Sequence, residues 1–274
     1  MKIKIACLED AVIAVGFRKM MSYTKAFHPD TTGYMISLAN YLSPVRAILG
    51  TYGETEDLNE LTQDTIRDMA EPLAKADIVG FSSMTSHAEL TKRVISEIRI
   101  INPRAYIVWG GVHPIIHPED AIQSADAICT GEGEFAFEQF LSSYKEGKNF
   151  TETQNFWFKQ KGKIIRNGFL PLAMGDEMNR FPLPLYADGE LLYHKNEGYS
   201  PMTTMDYVMK AGLGFNTVWS IGCPFVCSYC GNTNFIENDK NYRKLRHPSV
   251  DYLIKQMNKD VIFAKKVLKT KLVL

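Results

Sequence analysis

Cys223, Cys227 and Cys230 crowd three thiols into eight residues, in the pattern C-x3-C-x2-C. Packing alone does not call for such crowding, whereas metal chemistry does. Three thiolates on a short loop hold three irons of a cubane [4Fe–4S] cluster and leave the fourth iron open to another ligand. Structural zinc is the alternative. It needs a fourth donor, which His247 could supply, but it more often uses paired C-x2-C motifs. A ferredoxin-type cluster needs a fourth cysteine, and none follows Cys230. Ligand count and spacing favour the open cluster. Cys7 and Cys129 stand apart in apolar runs and read as small buried thiols. An odd total of five argues against a disulfide framework.

A second group of candidates follows three apolar runs. These are Gly80-Phe81-Ser82-Ser83-Met84-Thr85, Gly110-Gly111-Val112-His113-Pro114 and Gly131-Glu132-Gly133-Glu134. Glycines let a backbone approach a large ligand, and hydroxyls bond its polar edge. No G-x-G-x-x-G follows the first apolar run, so a dinucleotide is disfavoured. Two carboxylates in Gly-Glu-Gly-Glu would repel a phosphate. His113 and His117 have helical spacing, but Pro114 and Pro118 interrupt any helix that would align them for a metal.

The elements that must position these residues alternate. Lys2–Cys7, Val45–Leu49, Asp77–Ser82, Ala105–Trp109 and Asp126–Cys129 read as strands. Asp57–Ala70 reads as a helix, as do the stretches bearing Leu90, Val94, Ile98 and Ile101, and Phe137, Phe140, Leu141 and Tyr144. Five strands with helical crossovers predict an α/β, doubly wound, parallel (flavodoxin-like) sheet over residues 1–149, whose ligand lies beyond the carboxyl ends of the strands. Residues 150–214 read as a linker, with a hairpin of Asn155–Gln160 and Lys163–Arg166 followed by a Pro- and Gly-punctuated segment. In residues 215–274, an apolar strand runs from Phe215 into the cysteines, and Ser249 caps a later helix.

The stretch ADIVGFSSMT … AYIVWGGVHPIIHPEDAI … DAICTGEGEFAFEQFL resembles the cobalamin-binding domain that precedes a radical S-adenosylmethionine domain in one large enzyme class. The cysteine spacing, with aromatic Tyr229 before the last cysteine, is similar to the radical S-adenosylmethionine signature. The resemblance implies that Ser82, Ser83, Thr85, Gly110, Gly111, Gly131 and Gly133 surround the cofactor's nucleotide tail. It implies that the cysteines hold a [4Fe–4S] cluster binding S-adenosylmethionine, and that Tyr229 lies near the adenine. Met84, His113 and Glu132 belong to the same candidate cofactor-binding set. The D-x-H-x-x-G motif of many cobalamin domains is absent: Glu9-Asp10-Ala11-Val12-Ile13-Ala14-Val15-Gly16 carries no histidine, so a lower histidine ligand to cobalt is not expected. The implied reaction is methyl transfer to, or radical rearrangement of, an unactivated carbon on a small-molecule substrate, with an electron donor such as flavodoxin or ferredoxin. A non-catalytic cobalamin, iron–sulfur or zinc binding protein is the rival reading.

Charges balance at 31 against 31, so no overall field draws the chain to nucleic acid. Residues 240–274 nonetheless carry 10 Lys/Arg and 2 Asp/Glu, a net of +8, against −8 on the rest. No apolar run is long enough to span a membrane and the start reads as a strand, which predicts a cytoplasmic protein. Forty-four residues follow Cys230, room for one helix and at most one more strand. The expectation is therefore a radical barrel cut short early, with its competence for turnover left open.

Overall fold

Side chains of a strand alternate between its two faces. In Ile3–Leu8, Ala6 and Leu8 enter one apolar core, whereas Ile3, Ile5 and Cys7 enter another. This strand is therefore the centre of three layers. The computed structural model describes residues 1–38, 61–210 and 217–273. Among them are strands β1 (Ile3–Leu8), β2 (Thr32–Ile36), β3 (Ile78–Ser83), β4 (Tyr106–Gly110), β5 (Ala127–Cys129), β6 (Phe156–Gln160), β7 (Lys163–Arg166), β8 (Leu191–His194) and β9 (Gly198–Pro201). They form one sheet in the order β7-β6-β5-β4-β3-β1-β2-β8-β9. Pairings from β5 across to β8 are parallel, and the outer pairings are antiparallel.

Helices cover both faces. On one side lie α2 (Gln63–Leu73), α3 (Ala88–Ile101) and, beyond α4 (Val112–Ile116), α5 (Pro118–Ser124), contributing Met69, Val94 and Ile122 to the first core. On the other lie α1 (Val15–Phe27), α6 (Glu134–Lys145), α7 (Thr204–Lys210) and, past α8 (Asn232–Asn238), α9 (Val250–Val273), contributing Phe17, Phe140, Tyr207 and Val267. Thr62 caps α2 by accepting the Thr65 N–H at 3.2 Å, and Ser249 Oγ accepts the Tyr252 N–H at 3.3 Å as the cap of α9. Each satisfies a donor that helix geometry leaves open.

Three features differ from the sequence expectation. A strand missed in the sequence, Thr32–Ile36, pairs with β1, whereas the expected strand Val45–Leu49 lies outside the described residues, as do residues 57–60 of the predicted Asp57–Ala70 helix. Gly33 masks this strand in the sequence. A Cβ there would come within 3.1 Å of Met21 and Phe17, so the glycine is the price of packing α1 tightly on the sheet. The sheet is also wider than five strands. The predicted hairpin, turning through Lys161 and Gly162 at positive φ, adds β6 and β7 to the edge at β5, and β8–β9 extend the opposite edge. Lastly, residues 217–221 form only an isolated bridge, Ile221 with Arg246, because no strand among the described residues runs beside the rest.

A buried ion pair fastens the β8 edge to α1. Arg18 donates to Val12 O at 2.6 Å, to Leu185 O at 3.1 Å and to Glu190 Oε1 at 2.7 Å, with its guanidinium over Tyr186 and Tyr207. Glu190 also accepts the Ala187 and Asp188 N–H groups and the Tyr207 hydroxyl. Burial pushes the Glu190 carboxyl up, but Arg18 and these donors outweigh it and hold it below the ordinary value. Such a group stabilises the fold above the unfolded pKa of about 4.3 and loses that contribution as pH falls through its lower folded pKa. Glu190→Ala, which strands a buried guanidinium, is expected to cost about 3–5 kcal/mol in urea unfolding at pH 7. Glu190→Gln is expected to weaken the loss of stability below pH 4; an unchanged acid profile would contradict this role.

Candidate cofactor site

The carboxyl ends of β3, β4 and β5 open on a cavity of ≈ 220 Å³. Parallel strands with helices on both faces leave their crevice there. Its wall is largely glycine and apolar side chain: Gly80, Phe81 and Ser82 from β3, Gly110 ending β4 and Gly111 after it, Cys129 ending β5 and Gly131 to Glu134 after it, and Gly16 and Met20 from α1. Ile221 and Tyr242 close it from the C-terminal segment. A Cβ on Gly16 would meet nothing within 4 Å, and one on Gly110 would make only ordinary contacts at 3.7 Å. These glycines keep space free rather than fit neighbouring chain. Gly111 differs: its φ is +92°, and a Cβ would lie 2.7 Å from Ser83 N. The loops after β3 and β4 touch there.

The structure separates the candidates. Ser82, Gly110, Gly111, Gly131, Glu132 and Gly133 line the cavity. Ser83, turned to the opposite face by strand alternation, is buried and accepts the Trp109 indole N–H at 2.9 Å. Met84 and Thr85 are exposed beyond the strand end. His113 is buried against Trp109, with Nε2 3.0 Å from Asp120 Oδ2, and burial lowers its pKa. Tyr229 is 90 % exposed. The histidine brought to the loop after β1 is one the sequence gave no reason to place there. His87, from the turn after β3, sets Nε2 3.0 Å from Asp10 Oδ1, and Nδ1 2.9 Å from Ser86 Oγ.

The Gly131–Gly133 loop is clamped from two directions. Asn155, at φ 66°, donates its amide to Glu132 O at 2.8 Å, accepts the Leu170 N–H at 2.7 Å, and fills the space a Cβ on Gly131 would need. Arg246 donates to Ala173 O at 2.9 Å and, through both terminal nitrogens, to the Glu132 carboxylate, which also accepts the Tyr242 hydroxyl at 3.3 Å. Burial, then the charge of Glu132, pushes the neighbouring Glu134 carboxyl up. Asn155, Arg246 and Tyr242 carry no sequence signal, because each acts across a contact distant along the chain. Cys129 lies in the cavity wall with its thiol pushed up to about 12 by burial, which suits the packing role expected of it.

The three clustered cysteines are free and half-buried. Their loop is docked by backbone bonds: Cys223 N–H to Tyr242 O at 2.9 Å and Cys230 N–H to Cys227 O at 3.1 Å. Gly222, at φ +107°, passes so close to Lys244 O that no side chain fits. Among the described residues, no three His, Cys, Asp or Glu side chains converge as a metal-binding group. His247 points Nδ1 at Pro248 O, 2.9 Å away. Three unpaired thiols on one loop nonetheless suit a thiophilic cluster chemically, and metal binding commonly completes the ordering of such loops.

Residues 45–141 match the family described as B12 binding domain. Over that stretch the chain is similar to a B12 binding domain. It is 25 % identical over 211 residues to the anaerobic magnesium-protoporphyrin IX monomethyl ester cyclase of Rubrivivax gelatinosus, covering 72 % of this chain and 34 % of that protein. It is 26 % identical over 184 residues to the bacteriochlorophyllide d C-8(2)-methyltransferase of Chlorobaculum tepidum, covering 67 % and 34 %. The fold is shared with the radical S-adenosylmethionine methyltransferase TsrM of Kitasatospora setae, solved with cobalamin and a [4Fe-4S] cluster bound, at TM-score 0.60 and 13 % identity, covering 98 % of this chain and 51 % of that one. The resemblance to cobalamin-binding radical S-adenosylmethionine proteins therefore holds. The chain spans about a third of the length of the curated relatives it matches. No helix among the described residues is long and apolar enough to cross a membrane.

Two glycine substitutions separate ligand space from folding. Gly110→Leu is expected to fill the cavity and abolish binding of a bulky ligand while leaving the thermal midpoint nearly unchanged. Gly111→Ala is expected to destabilise the fold by about 1–3 kcal/mol through its positive φ and the contact with Ser83. Calorimetry of both variants checks this; equal destabilisation would contradict it.

Proposed function

We propose that this chain is the cobalamin-binding and cluster-bearing part of a cobalamin-dependent radical S-adenosylmethionine enzyme that methylates or rearranges an unactivated carbon. The observation that carries this reading is the adjacency of two features: a glycine-walled cavity at the strand ends of a stretch similar to a B12 binding domain, and a three-thiol loop whose flanking residues Ile221 and Tyr242 close that cavity. In this reading β5-β4-β3-β1-β2 is the flavodoxin-like binding unit within residues 1–149, residues 150–214 wrap it, and residues 215–274 begin the radical barrel. Gly80, Ser82, Gly110, Gly111, Gly131 and Gly133 receive one arm of the cofactor. The cavity has room for a heterocycle-sized group and would take one arm of the cofactor rather than the whole of it. The aromatic and aliphatic side chains of the wall exclude water from that arm, and Ser82 offers it a hydroxyl.

Cys223, Cys227 and Cys230 would hold the [4Fe–4S] cluster, and the exposed Tyr229 ring beside them would be available to S-adenosylmethionine. When bound, the cluster with S-adenosylmethionine supplies a carbon-centred radical, and cobalamin supplies a methyl or electron carrier. A small-molecule substrate and a low-potential electron donor of the flavodoxin or ferredoxin kind complete the system, which works in the cytoplasm.

Anaerobic reconstitution with iron and sulfide tests the cluster. The expected product is brown and, once reduced, gives an electron paramagnetic resonance signal that shifts on adding S-adenosylmethionine. Alanine at any of the three cysteines is expected to remove it. Titration with hydroxocobalamin is expected to show one saturable site. A colourless protein holding one zinc, or no cobalamin binding, would overturn the reading.

A further inference from the structure

Glu132 lines the cavity, yet its carboxylate is bound by residues that lie beyond the cysteine loop. Arg246 reaches it with a side chain that is fully buried and stacks over the Tyr242 ring at 5.1 Å. The backbone of the same arginine exchanges two hydrogen bonds with Ile221, at 2.9 and 2.8 Å, and the carbonyl of Tyr242 accepts the Cys223 N–H. Both residues that grip Glu132 thus also hold the start of the cysteine loop. Gly222 lies between these anchors, pressed against Lys244 O where no side chain fits. The Gly131–Gly133 loop and the cysteine loop are joined through one carboxylate.

We propose that Glu132, Arg246 and Tyr242 form a latch that positions the cysteine loop according to whether the cavity is filled. A ligand seated against Gly131–Gly133 further restrains the Glu132 carboxylate, and through it Arg246, Tyr242 and the first cysteine. Opening the latch leaves a buried guanidinium without its carboxylate, so intermediate positions are disfavoured and the loop is either docked or released. Reciprocity follows, because two sites coupled through one element shift each other's equilibria equally. Loading the cysteine loop then tightens the hold on the ligand in the cavity. Glu132, Arg246 and Tyr242 are positioning residues in this scheme.

Hydrogen–deuterium exchange reads the latch directly, because the N–H groups of Ile221, Cys223 and Arg246 are the ones it protects. In the ligand-free protein, Glu132→Gln is expected to speed exchange in peptides covering residues 219–231 and 242–247 by about tenfold while β1 and β3 stay unchanged. Tyr242→Phe, which deletes a single hydrogen bond, is expected to act in the same direction more weakly and serves if Glu132→Gln fails to fold. Unchanged exchange in the loop, or an equal rise across the sheet, would overturn the latch.

The ligand arm rests on the cobalamin reading. Hydroxocobalamin at saturation is expected to slow loop exchange in the wild-type protein, and to slow it several-fold less in Arg246→Lys, whose side chain lies outside the cavity wall. Equal slowing in both would overturn the coupling. If hydroxocobalamin does not bind the wild-type protein, the cobalamin reading fails and the coupling to cofactor fails with it, while the ligand-free arm still decides whether the latch exists.

Discussion

A carboxylate and a guanidinium separated by 114 residues of chain meet in a nearly dry contact between Glu132 and Arg246. Their charges have lost most of their water, and only mutual contact with additional hydrogen bonds offsets that loss. Ala173 O and the Tyr242 hydroxyl supply those bonds. The position of the cysteine loop beside the cavity follows from this contact. Elsewhere the segment after residue 217 is held by α9, whose Val267 and Phe263 pack into the second core, away from the cavity.

The sheet explains why the loops are available to be joined. Parallel strands buried on both faces put all their carboxyl ends on one side. Three loops consequently gather around one cavity without contributing to either core. The chain then covers both edges of the parallel sheet with antiparallel hairpins, β6–β7 and β8–β9. Each hairpin also works as an anchor. Asn155, leading into β6, clamps the Gly131 loop, and Glu190, leading into β8, locks onto Arg18. A segment whose composition suggests a plain linker therefore supplies the supports of the site.

Much of this organisation was legible in the residues. β1, β3, β4 and β5 announced themselves as continuous apolar runs, and α3 and α6 by helical spacing, because burial on two faces or one stripe leaves a local pattern. Thr32–Ile36 left none, since its Gly33 serves the packing of α1 rather than the strand. Ser82 and the glycine pairs could be read as cavity residues from their place after strands. Ser83 could not be told from Ser82, because a one-residue difference in phase at a strand end decides which face a hydroxyl takes. His113 stood in the candidate cofactor-binding set; in the structure its Nε2 meets Asp120 Oδ2, a contact seven residues along the chain.

What the sequence determined by itself is the chemistry on offer: three thiols at cluster spacing, glycine-rich strand ends, and a parallel α/β frame to carry them. These depend on residue type and near neighbours, and so are written locally. Tertiary structure decided which of them share one space. Arg246, Tyr242 and Asn155 gain their meaning from contacts across tens of residues, where burial strengthens a pairing that no local pattern encodes. Tertiary packing, for the same reason, made Glu132 a bridge between the cavity and the cysteines.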